Sequence, residues 1–178
     1  MFMTSEELIQ LMKWKLSRGK FRPRLIEFAA SNSEEKVKAS TEEAFQSASK
    51  GKLTAAIKTL TELKGIGPAT ASAILTAGCG QEVAFMADES VWGILGKQSL
   101  KYDLKEYLCF MEEILSIRNR LTEQGEISWT AHNVELCIWT FYQAERLGVE
   151  ISPEVKSTKE SLKRKSENGI KKVKKKQK

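Results

Sequence analysis

The stretch Leu63-Lys64-Gly65-Ile66-Gly67-Pro68-Ala69-Thr70-Ala71 decides how this chain is read. Gly65 and Gly67 permit a tight turn with positive φ and bring backbone N–H groups to an exposed surface. Ile66 can pack back between two helices. Pro68 suits the first position of the second helix, where a missing N–H costs nothing. The free amides at that helix start, at the positive end of its dipole, make a ready place for a phosphate oxygen. Lys64, Gly65, Ile66, Gly67, Ala69 and Thr70 are therefore candidate nucleic-acid contacts, with Lys58 adding charge nearby. A turn of this kind holds a phosphodiester backbone without reading bases.

Helical periodicity surrounds the turn. On its N-terminal side Leu53, Ala56, Ile57 and Leu60 form one apolar stripe, and on its C-terminal side Ala71, Ile74 and Leu75 form another that should stop near Gly78 and Gly80. Further upstream, Thr4 with Glu7 is a capping box opening a first helix that carries Leu8, Leu11 and Met12. Gly19 and Pro23 end it and start a second with Leu25, Ile26 and Phe28. Residues 31–50 are polar and helical in part, with Val37, Ala44 and Phe45 as the buried positions.

Downstream, a short helix runs from Glu89 to Leu95 and a longer one follows Asp103, with Leu104, Leu108, Met111 and Leu115 on one side and Ile114, Ile117 and Leu121 beside them. The last helix starts near Ser128 or Thr130 and is expected to bury Val134, Cys137, Ile138 and Phe141. Val83-Ala84-Phe85-Met86 is a short apolar run compatible with extended backbone, but one such piece makes no sheet. The expected fold is all-α.

The net charge of +6 is unevenly placed. Residues 151–178 hold 11 Lys/Arg against 3 Glu, while residues 1–150 hold 18 Lys/Arg against 20 Asp/Glu. The body is thus slightly acidic, and only local clusters and motif geometry can argue that it binds nucleic acid. The expected organisation is a helical domain over 1–150 followed by a disordered Lys-rich tail over 151–178, whose composition cannot bury enough apolar surface to offset ordering. Lys163-Arg164-Lys165 and Lys171–Lys176 suit a nuclear import receptor or non-specific nucleic-acid contact. No apolar run approaches the roughly 20 residues of a membrane span, and the N-terminus lacks a signal peptide's apolar core. A nuclear location is expected, with the cytoplasm as a second.

Cys79, Cys109 and Cys137 are far apart, and His132 is the sole histidine. Neither a metal site nor a cofactor is expected, and the cysteines are read as reduced, small packed hydrophobes. His132 is read as structural or exposed, with proton transfer as the lesser reading. Core packing accounts for Trp14, Trp92, Trp129 and Trp139, with lining of a base pocket as the other reading.

The turn resembles the helix-hairpin-helix of DNA-repair proteins, and its continuation resembles the helix-hairpin-helix DNA glycosylase superfamily. That family's hairpin has the form L-x-G-[IV]-G-x-x-T-A, matched here by Leu63–Ala71. It places a catalytic aspartate at the start of a later helix, which falls on Asp88 in Phe85-Met86-Ala87-Asp88-Glu89-Ser90-Val91-Trp92. The resemblance covers roughly residues 53–95. Bifunctional members carry a nucleophilic lysine where this chain has Ala69, so Schiff-base chemistry is not expected from the motif. The iron–sulfur cysteines of some members are absent as well. For Asp88 two readings stand side by side: a plain helix N-cap, or a carboxylate stabilising charge on a sugar.

The run from Lys13 to Arg24 is either a second candidate surface, with Arg18, Lys20, Arg22 and Arg24 as phosphate contacts, or an ordinary solvated basic loop, and Phe21 either stacks on a base or packs inward. The leading expectation is sequence-independent DNA binding by the hairpin, in a repair setting. Its rivals are a monofunctional glycosylase acting through Asp88, and a protein-interaction module that keeps the fold without DNA.

Overall fold

The computed structural model describes residues 1–18, 22, 24–97, 99–125 and 128–151. Among these, the elements in chain order are α1 (Ser5–Arg18), α2 (Arg24–Ala30), α3 (Glu34–Ser49), α4 (Leu53–Thr61), α5 (Pro68–Cys79), a 3₁₀ turn (Gly80–Glu82), α6 (Asp88–Leu95), α7 (Leu104–Gln124) and α8 (Ala131–Leu147). No strand occurs among the described residues. Met1–Gly148 is one compact unit. Of the unit Val149–Lys178, residues 152–178 lie outside the described residues, and with them the expected disordered tail and its basic runs.

Helix starts follow local chemistry. Thr4 and Glu7 form the expected capping box, the Thr4 N–H donating to Glu7 Oε2 at 2.8 Å and the Glu7 N–H to Thr4 Oγ1 at 3.2 Å. Ser33, Asp103 and Thr130 cap α3, α7 and α8, each accepting a backbone N–H three residues on. The polar stretch before Gly51 is continuously helical over α3, and besides Val37, Ala44 and Phe45 it buries Ser40 and Thr41. Thr41 can be buried because its hydroxyl accepts the Met3 N–H at 2.9 Å and donates to Val37 O at 2.8 Å.

The middle helix is α5. Every residue from Ala69 to Leu75 is buried, because α1, α3, α4 and α7 all pack on it. Small side chains make this crowding tolerable, and a helix apolar all round belongs in a core. Near its end Gly78 lies under the Phe45 ring, which occupies the space a Cβ would need. The run 83–87 then passes through the core without pairing as a strand, the Ala87 N–H turning back to Phe85 O at 2.9 Å. It is pinned by the Met86 N–H donating to Ser72 Oγ at 2.9 Å and by Tyr107 Oη donating to Ala84 O at 3.2 Å.

Several burial expectations need correction. On α7 the expected Met111 and Ile114 are buried, but they are joined by Tyr107 and Phe110, whereas Leu104, Leu108 and Leu115 are half-buried. The two aromatic rings offer more apolar surface to the core and rotate the helix toward themselves. On α8 only Ala131, Val134 and Glu135 are buried; Cys137 and Phe141 are exposed and Ile138 is half-buried. α8 docks chiefly on α6, and the contact continues into its C-terminal half, where Gln143 bonds Glu89 and the Tyr142 ring meets Trp92. Of the cysteines only Cys79 packs against the core, half-buried, while Cys109 and Cys137 are exposed. Of the tryptophans, Trp129 and Trp139 pack half-buried against the core, Trp92 is half-buried and Trp14 is 45% exposed.

Candidate nucleic-acid interface

The turn between α4 and α5 is held from behind by α2. Asn32, buried just after that helix, treats Lys64 as a second backbone: its Nδ2 donates to Lys64 O at 3.1 Å, and its Oδ1 accepts the Lys64 N–H at 2.9 Å. The same Nδ2 also reaches Ala29 O at 2.9 Å. Gly65 follows with φ +79°, and a Cβ there would stand 2.8 Å from Phe28 Cβ. Only glycine fits that position. Gly67 differs from expectation: its φ is −99° and ψ 177°, ordinary extended backbone, and a Cβ on it would meet nothing within 4 Å. The turn itself therefore does not require glycine at this position.

Amide by amide, the hairpin divides cleanly. The Ile66 N–H donates to Leu63 O, and the Thr70 and Ala71 N–H groups both go to Gly67 O. Ile66 and Thr70 are buried as side chains too. Among the described residues the N–H groups of Gly65, Gly67 and Ala69 have no hydrogen-bond partner. Pro68 stands at the first position of α5 and has no N–H to offer. The two amides flanking it thus lie at the positive end of a helix with nothing inside the protein to satisfy them.

These residues form one wall of a cavity of about 430 Å³, which is shared with Lys15, Arg18 and Arg22, with Asp88 and Glu89, and with Tyr102. Asp88 is not the N-cap of α6. Ala87 holds that place without any side-chain bond, and Asp88 is the first helical residue. Its Oδ2 accepts the Tyr102 hydroxyl at 2.9 Å instead.

Tyr102 has no sequence signature, standing alone in a connection. The structure gives it φ +56°, the one positive φ outside glycine among the described residues. Such backbone is costly for an aromatic residue. It is held by the Tyr102 N–H donating to Glu106 Oε2 at 2.8 Å and by the Arg22 guanidinium lying 5.5 Å from the ring centre. Burial first, then the bond to Asp88, pushes its hydroxyl up to about 12, so the hydroxyl stays a donor at neutral pH.

On the cationic side, Arg18 sits among three rings, 4.4 Å from the Trp139 centroid, 5.1 Å from Trp14 and 5.6 Å from Phe85. Among the described residues its guanidinium has no salt bridge or hydrogen bond. Its planar fork is therefore fixed in place by stacking while its N–H groups remain available. Lys15 is half-buried in the same wall, and desolvation holds its ammonium below the ordinary lysine range; Asp88 opposes that shift and Arg22 adds to it. Arg24 is apart from the cavity, over Phe28 at 5.3 Å, and Lys58 and Lys64 are exposed outside it. Lys20 and Phe21 lie outside the described residues.

Beneath α6 lies a buried polar junction. The Ser90 hydroxyl donates to Glu135 Oε1 at 2.6 Å, and Gln143 Nε2 donates to Glu89 Oε1 at 3.1 Å. Burial pushes Glu135 up to about 7, against the Ser90 bond and Arg18, which pull it down. His132 Nδ1 is 3.9 Å from Glu135 Oε2, too far for a hydrogen bond, and burial with Arg18 nearby lowers its pKa. His132 is not part of the cavity wall.

A family model described as a SAM-like helix-hairpin-helix tandem matches residues 57–91, the span from the middle of α4 through the turn and α5 to the first half of α6. The α4–turn–α5 unit is thus a helix-hairpin-helix, consistent with DNA binding. Neither the curated proteins nor the solved structures compared with the chain match it. No helix among the described residues is long and apolar enough to cross a membrane.

Proposed function

We propose that this protein binds duplex DNA through its backbone, with little regard to sequence, one phosphate resting on the hairpin amides while Arg18 and Arg22 neutralise its neighbours. The observation that carries this reading is the pair of unpartnered N–H groups on Gly67 and Ala69, at a helix start and on a wall that also holds three cationic side chains. A setting in DNA repair and a nuclear location through the basic runs of 152–178 belong to the same proposal.

Gly67→Ala is the decisive variant, because the fold has room for the methyl while an approaching phosphate does not. Duplex affinity should fall about tenfold, or 1.4 kcal/mol, with unchanged thermal stability. Gly65→Ala should instead lower stability by roughly 1–2 kcal/mol, its backbone being left-handed and its surroundings filled. Measured at two salt concentrations on the full chain and on a chain ending at residue 151, wild-type binding should weaken with salt in both. Full affinity in Gly67→Ala would remove the hairpin from the interface. A shortened chain with no salt-dependent binding would favour a protein-interaction module.

One observation favours a second reading, hydrolysis of an N-glycosidic bond: Asp88 faces the cavity and is free of capping duty. In that scheme its carboxylate stabilises the cationic sugar of a flipped nucleotide. Base release from lesion-bearing duplexes that disappears in Asp88→Asn is the expected result.

A further inference from the structure

The cavity holds charges of both signs that do not cancel. Lys15, Arg22 and Asp88 all line it, yet among the described residues no ion pair joins Asp88 to either cation. A carboxylate and a guanidinium that share a partly desolvated site attract, and with nothing between them they pair.

Tyr102 stands between them, touching each with a different part of one rigid side chain. Its hydroxyl donates to Asp88 Oδ2 at 2.9 Å, and its ring centre lies 5.5 Å from the guanidinium carbon of Arg22. The neutral donor satisfies a carboxylate oxygen without bringing a positive charge. The ring holds the guanidinium without supplying a negative one, and leaves its N–H fork open, which a bidentate carboxylate would fill.

The backbone shows that this placement is built into the fold. At φ +56° an aromatic residue is costly, and a glycine would relieve the cost but make neither contact. The conformation is enforced from the start of α7. Glu106 Oε2 accepts the Lys101 N–H at 2.9 Å and the Tyr102 N–H at 2.8 Å, while the Glu106 N–H goes to Asp103 Oδ1 at 2.8 Å. The helix cap of α7 thus sets where the Tyr102 side chain stands.

We propose that Tyr102 is a positioning residue that keeps Asp88 apart from Arg22, leaving the guanidinium free for a DNA phosphate; the proposal rests on the DNA-binding reading above. Tyr102 itself makes no contact with the DNA. Without its hydroxyl, Asp88 turns to the cations of the same wall, and each one it captures is lost to phosphate.

The test is a double-mutant cycle on duplex binding by the full chain, measured across a series of salt concentrations. Circular dichroism and thermal melting accompany every variant. Tyr102→Phe keeps the ring and removes the hydroxyl. It should weaken binding about fivefold at low salt and lower the slope of log affinity against log salt by roughly one, as expected for one lost phosphate contact. In an Asp88→Asn background no carboxylate is left to capture Arg22. There the same Tyr102→Phe change should cost less than about twofold and leave the salt slope as it was. Equal losses in the two backgrounds would overturn the proposal, since lost packing, or a hydroxyl that touches the DNA, carries through both. Full affinity with an unaltered salt slope in Tyr102→Phe would overturn it as well. Wild-type protein without salt-dependent binding would remove the DNA-binding reading and this role of Tyr102 together, whereas a wild type that binds and variants that add independently would remove this role alone.

Discussion

Two concavities share α6, and they differ in chemistry far more than in size. The first, about 430 Å³, takes Asp88 and Glu89 from the start of that helix and sets them among unpartnered amides and cations. The second, about 540 Å³, takes Trp92 and Gly93 and is completed by Trp129 from the connection before α8 and by Ile117, Leu121, Ile138 and Phe141 of α7 and α8. Volume would favour the second. Unsatisfied donors favour the first, because an N–H with no internal partner calls for an external one, whereas an apolar groove states only that something greasy could cover it.

The most forceful way to break that contrast is to reverse one charge on each side. Arg22→Glu should weaken duplex binding by roughly 30-fold at low salt, about 2 kcal/mol, since it removes a phosphate contact and adds repulsion. Phe141→Glu, at a position 62% exposed on the apolar groove, should leave affinity within about twofold, as surface changes away from a binding site do. Equal losses in a titration of both variants would mean that the two surfaces act together.

A second prediction concerns what lies under α6 and supports both concavities. Glu135 is fully buried with its pKa raised to about 7 from an ordinary 4.5. The folded state therefore holds that proton longer than the unfolded chain does. The associated stability is present below about pH 4.5 and is lost as pH rises through 7, on the order of 2–3 kcal/mol. In Glu135→Gln the fall in Tm between pH 5 and pH 8 should be markedly smaller than in wild type. An unchanged pH slope would assign the loss to other groups.

The smallest effect sharpens the comparison within the cavity itself. Tyr102→Phe removes the hydroxyl that Asp88 accepts and should cost about 1 kcal/mol of stability, a typical value for one such bond. If Asp88 acts on a sugar, base release should fall more than duplex affinity does. A loss confined to affinity would make Tyr102 part of the phosphate surface.

Much of the fold was legible because it is written in local rules. Thr4 with Glu7, Asp103 and Thr130 mark helix starts by chemistry that operates within three residues, and Pro68 and Gly65 mark the hairpin in the same way. Burial on α7 and α8 was less so. Periodicity finds an apolar stripe, but which side of it faces inward depends on partners elsewhere in the chain, as exposed Phe141 and buried Glu135 illustrate. Asp88 shows the same limit at the candidate site: position beside a helix start suggested a cap, and the structure places it inside the helix with its carboxylate on the Tyr102 hydroxyl.

The sequence by itself determined an all-helical chain with a helix-hairpin-helix at its centre, since turn geometry and helical period are properties of neighbouring residues. Only the tertiary structure decided that Lys15 and Arg18, Arg22, the hairpin amides, Asp88 and Tyr102 share one cavity. Those groups come from segments far apart along the chain, and their meeting is fixed by how α1, α5 and α6 pack around buried apolar surface. No spacing rule records such a meeting, because packing free energy depends on which surfaces touch and not on how many residues separate them.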